Sequence, residues 1–164
     1  VGALQWVQGG GFSWADADVD LCGAAASHGR IKTLRWARAN GCPWGDTCCR
    51  AAAGGHTEVL EFARADGCPE DGPRICSAAA GAGRLETLLW LREESRQYDW
   101  DEETTRAAAA SGHLAVLQAA RAGDCPWGPR CCSAAAGGGF LEVLRWARDN
   151  GCPWDNDTCS QVRE

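Results

Sequence analysis

Apolar residues recur along the chain with the spacing of short amphipathic helices. In the clearest segment, Leu141, Val143, Leu144, Trp146 and Ala147 share one broad face, as in a helix and unlike the alternation of a strand. Similar segments surround four earlier leucines, Leu34, Leu60, Leu88 and Leu117. An alanine-rich segment precedes each of them, and a glycine separates the two. Because alanine is the best helix former, the pattern predicts pairs of short helices.

The helix pairs form a repeat. The leucine frame runs from 34 to 60, 88, 117 and 144, and a second marker follows it at Cys22, Cys48, Cys76, Thr105, Cys132 and Cys159. Between pairs stands the string Cys-Pro-Trp, at 42–44, 125–127 and 152–154. Altered copies are Phe12-Ser13-Trp14, Cys68-Pro69-Glu70 and Arg96-Gln97-Tyr98. Two markers in register predict one solenoid over residues 1–164, with five complete pairs and half repeats at 1–12 and 155–164.

The repeat unit resembles an ankyrin repeat. The run from Ala51 to Leu60, with Gly55-His56 at its centre, is similar to the ankyrin sequence between the two helices, and Ala108 to Leu117 matches it again. The resemblance implies an all-α, ankyrin-like solenoid that binds another protein as a scaffold or adaptor. It also implies that the histidines act as structural hydrogen-bonding residues. We expect the chain to be part of a longer array, with room for a further domain such as an F-box.

The unit departs from the ankyrin pattern in two ways. Asp46-Thr47-Cys48-Cys49 stands where the family has Thr-Pro-Leu-His, and the unit is shorter than the usual 33 residues by about six. The missing residues fall where the family has its β-hairpin finger, so we expect few or no strands. Asp46-Thr47 and Glu103-Thr104 are predicted to begin first helices, since such residues favour the N-cap.

Charge and composition narrow the choice of partner. The net charge is −6 and Lys32 is the only lysine, which argues against nucleic acid as the partner. No apolar run is long enough to span a membrane. The chain is therefore predicted to be a monomer that binds a protein, in the cytoplasm or nucleus.

The 11 cysteines allow two interpretations. A thiol-based metal or redox protein is the alternative function, although the spacing does not match paired zinc-binding arms. In the other interpretation, nine cysteines occupy two packing positions of the repeat, while Cys49 and Cys131 fall outside them and are exposed. An odd count favours reduced thiols. No catalytic motif is present, so no enzyme activity, cofactor or metal is predicted.

Two further periodic features have both a structural and a binding interpretation. The loop tryptophans either fill the seams between repeats or form an aromatic surface for a ligand. An arginine near the end of every second helix either binds that helix end or forms a basic stripe. These arginines are Arg38, Arg64, Arg92, Arg121 and Arg148.

The most irregular segment is the predicted contact site. Between 92 and 106 the Cys-Pro-Trp string is lost, two residues are added, and aromatic residues lie among acidic ones. Departure from the repeat suggests that packing does not explain these residues, and their composition is typical of an interface. The predicted contact residues are Tyr98, Asp99, Trp100, Asp101 and Glu102, with Asp46, Asp71 and Asp155 along the same acidic edge. We expect the partner to present a basic surface.

Overall fold

The computed structural model describes residues 20–94 and 98–154, and within these ranges it contains ten α-helices and no strand. The helices α1 to α10 are, in order, Leu21–Ser27, Ile31–Ala39, Thr47–Gly54, Thr57–Ala65, Gly72–Gly81, Leu85–Glu94, Glu102–Ala110, Leu114–Ala122, Pro129–Gly137 and Leu141–Asp149. They form five pairs, each with an odd-numbered first helix and an even-numbered second helix. The predicted all-α repeat without strands is confirmed for this part of the chain, and the half repeats at 1–12 and 155–164 lie outside it.

Alanines on the first helices form the main contact between repeats. Each first helix packs against the first helix of the next repeat, whereas direct contact between second helices is sparse. The contact residues are buried and small: Ala25, Ala26, Ala51, Ala52, Ala79, Ala80, Ala108, Ala109 and Ala135. Because alanine adds only a methyl group, adjacent helices approach closely without losing helix propensity.

The second helices pack onto the first helices through their leucines. Leu34, Leu88 and Leu117 are completely buried, and so are Ala37 and Ala120, each three residues further along its helix. A turn of two or three residues brings each second helix back against its first helix. In this turn Gly55 and Gly112 have φ values of 82° and 77°, in the left-handed region that glycine adopts without steric cost.

A side chain at the start of the second helix links each repeat to the preceding one. His56 Nε2 lies 3.1 Å from the carbonyl oxygen of Ser27, and His113 Nε2 lies 3.1 Å from that of Gly81. The predicted structural role of these two histidines is confirmed. Arg84 takes the same position and donates from Nε to the carbonyl of Ala53 at 3.0 Å. His28 differs, because its Nδ1 bonds within its own helix.

The N-caps differ in part from those expected. Asp20, Asp71 and Asp101 accept a hydrogen bond from the backbone of the first turn that follows. Asp46 precedes α3 but makes no capping bond, because its carboxylate pairs with Arg74 of the next repeat at 3.1 Å. Glu103 lies inside α7 rather than at its start. The predicted N-cap at Glu103 was therefore wrong by two residues, because Asp101 is the N-cap.

All ten cysteines in the described ranges are thiols, and nine of them are buried. Cys131 was expected to be exposed, but only 2% of its surface is accessible. It faces the preceding first helix, where its Sγ lies 3.8 Å from the carbonyl oxygen of Thr105. Cys49 is half-buried, and Cys159 lies outside the described residues.

Candidate partner-binding edge

Arginines of the second helices stack on aromatic rings of the loops that follow. The guanidinium carbon lies 4.2 Å from the ring centroid in Arg38–Trp44, 4.4 Å in Arg121–Trp127 and 4.2 Å in Arg148–Trp154. Arg38 Nη1 also donates to the carbonyl of Cys42 at 2.5 Å, and Arg121 makes the same bond to Cys125. A stacked cation that also satisfies the loop backbone supports the structural interpretation of this position.

The irregular copy keeps this stack with a different residue from the one expected. Arg92 lies 4.6 Å from the ring of Trp100, so Trp100 occupies the tryptophan position of the repeat. The alignment that placed Tyr98 there was wrong, because the two added residues come before the aromatic residue. Arg96 and Gln97 of that copy lie outside the described residues.

Tyr98 instead completes the preceding repeat. In that repeat Glu70 replaces the tryptophan and pairs with Arg64 at 3.1 Å. The ring of Tyr98 lies 5.2 Å from the Arg64 guanidinium, where it supplies the missing aromatic surface. Only 4% of Tyr98 is accessible, and burial raises the pKa of its hydroxyl to about 12.

Tyr98 and Trp100 are therefore buried packing residues, and a contact of either residue with a partner stays a prediction. Trp100 is also buried, with 8% of its surface accessible. The irregular sequence between 92 and 106 is explained in part by packing: an aromatic residue lost at position 70 is replaced from the next loop. Trp100 Nε1 is nevertheless buried without a hydrogen-bond partner, the one such side-chain nitrogen or oxygen among the described residues.

An open cleft of about 500 Å³ lies at this place in the fold. We call it the Arg92 cleft, and it is lined by Arg92, Tyr98, Asp99, Trp100, Gly123, Asp124 and Cys125. Gly123, at the end of α8, forms part of its wall. A Cβ atom built on Gly123 would lie 1.7 Å from a guanidinium nitrogen of Arg92. The guanidinium thus occupies the space that a side chain at position 123 would need.

Other repeats fill the position of Gly123. Asn40 and Asn150 occupy it in the first and last pairs, and each donates from Nδ2 to the carbonyl four residues earlier. Asp66 occupies it in the second pair and lies 3.3 Å from Arg38. Within the described ranges Arg92 forms no ion pair of this kind. The cleft therefore contains an arginine that has no carboxylate partner among the described residues.

The sequence contains a sign of this cleft that the search for aromatic and acidic residues missed. The order Asn-Gly or Asp-Gly at 40–41, 66–67 and 150–151 is reversed to Gly123-Asp124. The reversal places Asp124 in the left-handed region at φ 60°, the only described non-glycine residue with positive φ. Strain of this kind at a non-glycine residue is more frequent at functional positions.

The predicted acidic residues have different roles along the edge. Asp71 and Asp101 cap helices, and Asp46 is engaged by Arg74. Asp99 is exposed at the cleft and Glu102 is exposed at the start of α7, and neither forms an ion pair within the described ranges. Asp155 lies outside those ranges. Asp99 and Glu102 are thus the predicted residues for which the structure shows neither a capping bond nor an ion pair within the described ranges.

Metal-binding groups and membrane spans are two further kinds of feature that bear on function. Across residues 20–94 and 98–154, no group of three or more His, Cys, Asp or Glu side chains is arranged to hold a metal ion. No helix in that part of the chain is long and apolar enough to cross a membrane.

Comparison with known proteins identifies the fold. No protein-family model matches the sequence, and no curated protein matches it. Among solved structures, the chain is similar to the human ASB11 ankyrin repeat domain, with a TM-score of 0.60 and 14% identity, over 82% of this chain and 70% of that one. At this identity the likeness concerns the fold alone. Together with the helix pairs, it shows that this chain has the fold of an ankyrin repeat domain.

Proposed function

We propose that this chain is a protein-interaction module without catalytic activity, and that its contact surface is the loop edge around the Arg92 cleft. Stacked helical repeats present extended surfaces on which proteins bind. Because the same fold serves different functions, the proposal depends on the site itself. The observation that carries it is the cleft, where Gly123 stands in place of the Asn or Asp side chain of the first, second and last repeats.

The chemistry of the edge favours a polypeptide partner with basic residues. Asp99 and Asp124 are exposed at the cleft and Glu102 is exposed at the start of α7, while Arg92 is the one cation among the described residues that line the cleft. These carboxylates attract lysine or arginine side chains over a distance of about 10 Å at moderate salt.

The finer expectations from the sequence remain part of this proposal. We propose that residues 1–164 form one repeat array, that it acts as a monomer, and that it works in the cytoplasm or nucleus as a scaffold or adaptor. The net charge of −6 and the single lysine support a protein rather than a nucleic acid as partner.

A selection from a random peptide library on the immobilised chain tests the proposal. We expect recovered peptides to be enriched in lysine and arginine, and their binding to weaken as salt is raised from 50 to about 300 mM. The double variant Asp99→Asn, Glu102→Gln removes two charges while keeping the shapes of the side chains, so we expect several-fold weaker binding. Recovery of acidic peptides, or binding that ignores this variant, would contradict the proposed surface.

A further inference from the structure

Two repeated cysteine positions meet inside the repeat unit. One lies in the first turn of the first helix and the other in the loop after the second helix, 20 residues later, as in Cys22 and Cys42 or Cys48 and Cys68. In the first repeat, Cys22 Sγ lies 3.9 Å from the carbonyl oxygen of Cys42. In the second repeat the two thiols face each other directly, and Cys48 Sγ lies 2.8 Å from Cys68 Sγ.

We propose that Cys48 and Cys68 are a modification site: a dithiol that hydrogen peroxide oxidises to a disulfide joining α3 to the loop after α4. The two sulfur atoms need to approach by only about 0.8 Å to reach the S–S bond length of about 2.05 Å. Both side chains are held by packing, with 4% and 6% of their surfaces accessible. Bond formation therefore requires little movement of the backbone.

A small oxidant has a route to the pair. Cys48 lines a surface cleft of about 180 Å³ together with Gly45, Pro69, Glu70 and Ile75. The thiol of Cys48 donates a hydrogen bond to Cys68, and this bond lowers the pKa of the Cys68 thiol. Of the two thiols, Cys68 is accordingly the one that ionises more readily, and the thiolate is the form that reacts with peroxide.

The oxidation has two balanced steps. The Cys68 thiolate attacks one peroxide oxygen and breaks the O–O bond, which gives a sulfenic acid and releases hydroxide, protonated to water. The sulfur of Cys48 then attacks the sulfenic sulfur, and the sulfenic oxygen leaves as a second water with the Cys48 proton. Overall, two thiols and one hydrogen peroxide give one disulfide and two waters, with two electrons passing from sulfur to oxygen.

The fourth repeat provides an internal contrast. At the equivalent positions it has Thr105 and Cys125, and Thr105 Oγ1 donates to the carbonyl of Pro126 at 3.0 Å. Cys125 Sγ donates to the carbonyl of Asp101 at 3.2 Å. That repeat cannot form the bond, so a specific reaction of the second repeat is distinguishable from general thiol oxidation.

Peptide mapping of the oxidised chain tests the proposal. The reduced, folded chain is treated with hydrogen peroxide, its remaining thiols are alkylated, and it is digested with trypsin. We expect a disulfide between the peptides 39–50 and 65–74, with fragmentation placing the bond on Cys48 rather than Cys42 or Cys49. The thermal midpoint of the oxidised chain rises by several degrees, because the bond constrains the unfolded state.

Matched variants sharpen the test. Cys42→Ser and Cys49→Ser, both within the same tryptic peptide, keep the cross-link, whereas Cys48→Ser abolishes it. The fragmentation data on the wild-type chain decide the matter even if Cys48→Ser fails to fold. Absence of the linked peptides from the folded chain, or a bond located on Cys42 or Cys49, would overturn the proposal.

Discussion

Two seams of the repeat stack contain the same stacked arginine and tryptophan but differ in what the arginine meets. One seam lies between the first and second helix pairs, and the other lies between the third and fourth. In the first, Arg38 stacks on Trp44 and pairs with Asp66 of the next repeat. In the second, Arg92 stacks on Trp100, but Gly123 replaces the residue that would meet it. The seam with Asp66 at this position is thus closed and the seam with Gly123 is an open cleft, while both keep the aromatic stack.

The two seams share the residues that stabilise the stack and differ in the residues open to a ligand. The aromatic residues are buried in both seams, so they stabilise the stack in both. The difference lies in the arginine, because Arg38 pairs with Asp66 whereas Arg92 pairs with no carboxylate among the described residues. Arg92 is exposed, so we expect the second seam to be open to a ligand in a way that the first is not.

The largest effect is expected from removing the stacked tryptophans. Trp44→Ala and Trp100→Ala each remove a buried ring, and we expect each to lower the free energy of unfolding by about 3–5 kcal/mol. Trp154→Ala is the control, because 38% of the surface of Trp154 is accessible. Its loss of unfolding free energy is expected to be clearly smaller. Urea denaturation measures all three, and a small loss for Trp100→Ala would show that the second seam does not depend on its stack.

Alkaline pH is expected to affect the second seam through Cys125. Burial, followed by the charge of Asp101, raises the pKa of its thiol from 9.0 to about 12. The unfolded chain ionises first, so this contribution is fully present below pH 9 and is lost as pH rises toward 12. The loss is up to about 1.4 kcal/mol per pH unit.

The variant Cys125→Ala isolates this contribution. Its free energy of unfolding, measured from pH 8 to 11, is expected to fall less steeply than that of the wild type above pH 9. Other buried thiols add their own slopes to both proteins, so the difference between the two curves is the quantity to compare. Parallel curves would exclude the proposed burial of this thiol.

The helix caps of the two seams provide a smaller contrast. Asp101 accepts from the backbone N–H of Thr104 at 3.0 Å, so we expect Asp101→Ala to cost about 1 kcal/mol or slightly more. Asp46 caps nothing and forms one exposed ion pair, so Asp46→Ala is expected to cost less than about 0.5 kcal/mol. Thermal unfolding of the two variants side by side checks the order, and equal losses would contradict it.

The sequence predicts the fold more fully than the site, for a physical reason. Helix pairs follow from alanine-rich segments, glycine turns and leucine spacing, and each of these acts locally or between adjacent repeats. The roles of Tyr98 and Trp100 depend on which repeat each ring faces, and the repeat pattern does not encode that choice. Tyr98 reaches Arg64 in the preceding pair because Glu70 has replaced the aromatic residue there.

The cleft was missed because it arises from an absent side chain. Aromatic and acidic residues at 98–102 are conspicuous, whereas Gly123-Asp124 differs from Asn40-Gly41 mainly by the order of two loop residues. Only the position of the Arg92 guanidinium shows that the glycine is what opens the surface. Aligning every position of the repeat, including its glycines, would have identified Gly123 as the exception.

A substitution that fills the Arg92 cleft tests whether the partner binds there. Gly123→Asn restores the residue of the first and last repeats without changing the charge, and its amide can donate to the carbonyl of residue 119, as Asn150 does to Trp146. The new side chain displaces the Arg92 guanidinium, so we expect a modest loss of thermal stability. Asn150→Gly is the matched control, because it makes the reverse change at the same repeat position elsewhere.

The measurement is the affinity of a labelled basic peptide from the library selection, determined by fluorescence anisotropy. If the partner binds at the Arg92 cleft, Gly123→Asn weakens binding about fivefold, or about 1 kcal/mol. Asn150→Gly leaves the affinity within about twofold of the wild type, or about 0.4 kcal/mol. Equal affinity of the wild type and Gly123→Asn would contradict binding at the Arg92 cleft and would place the partner on another face of the repeat stack.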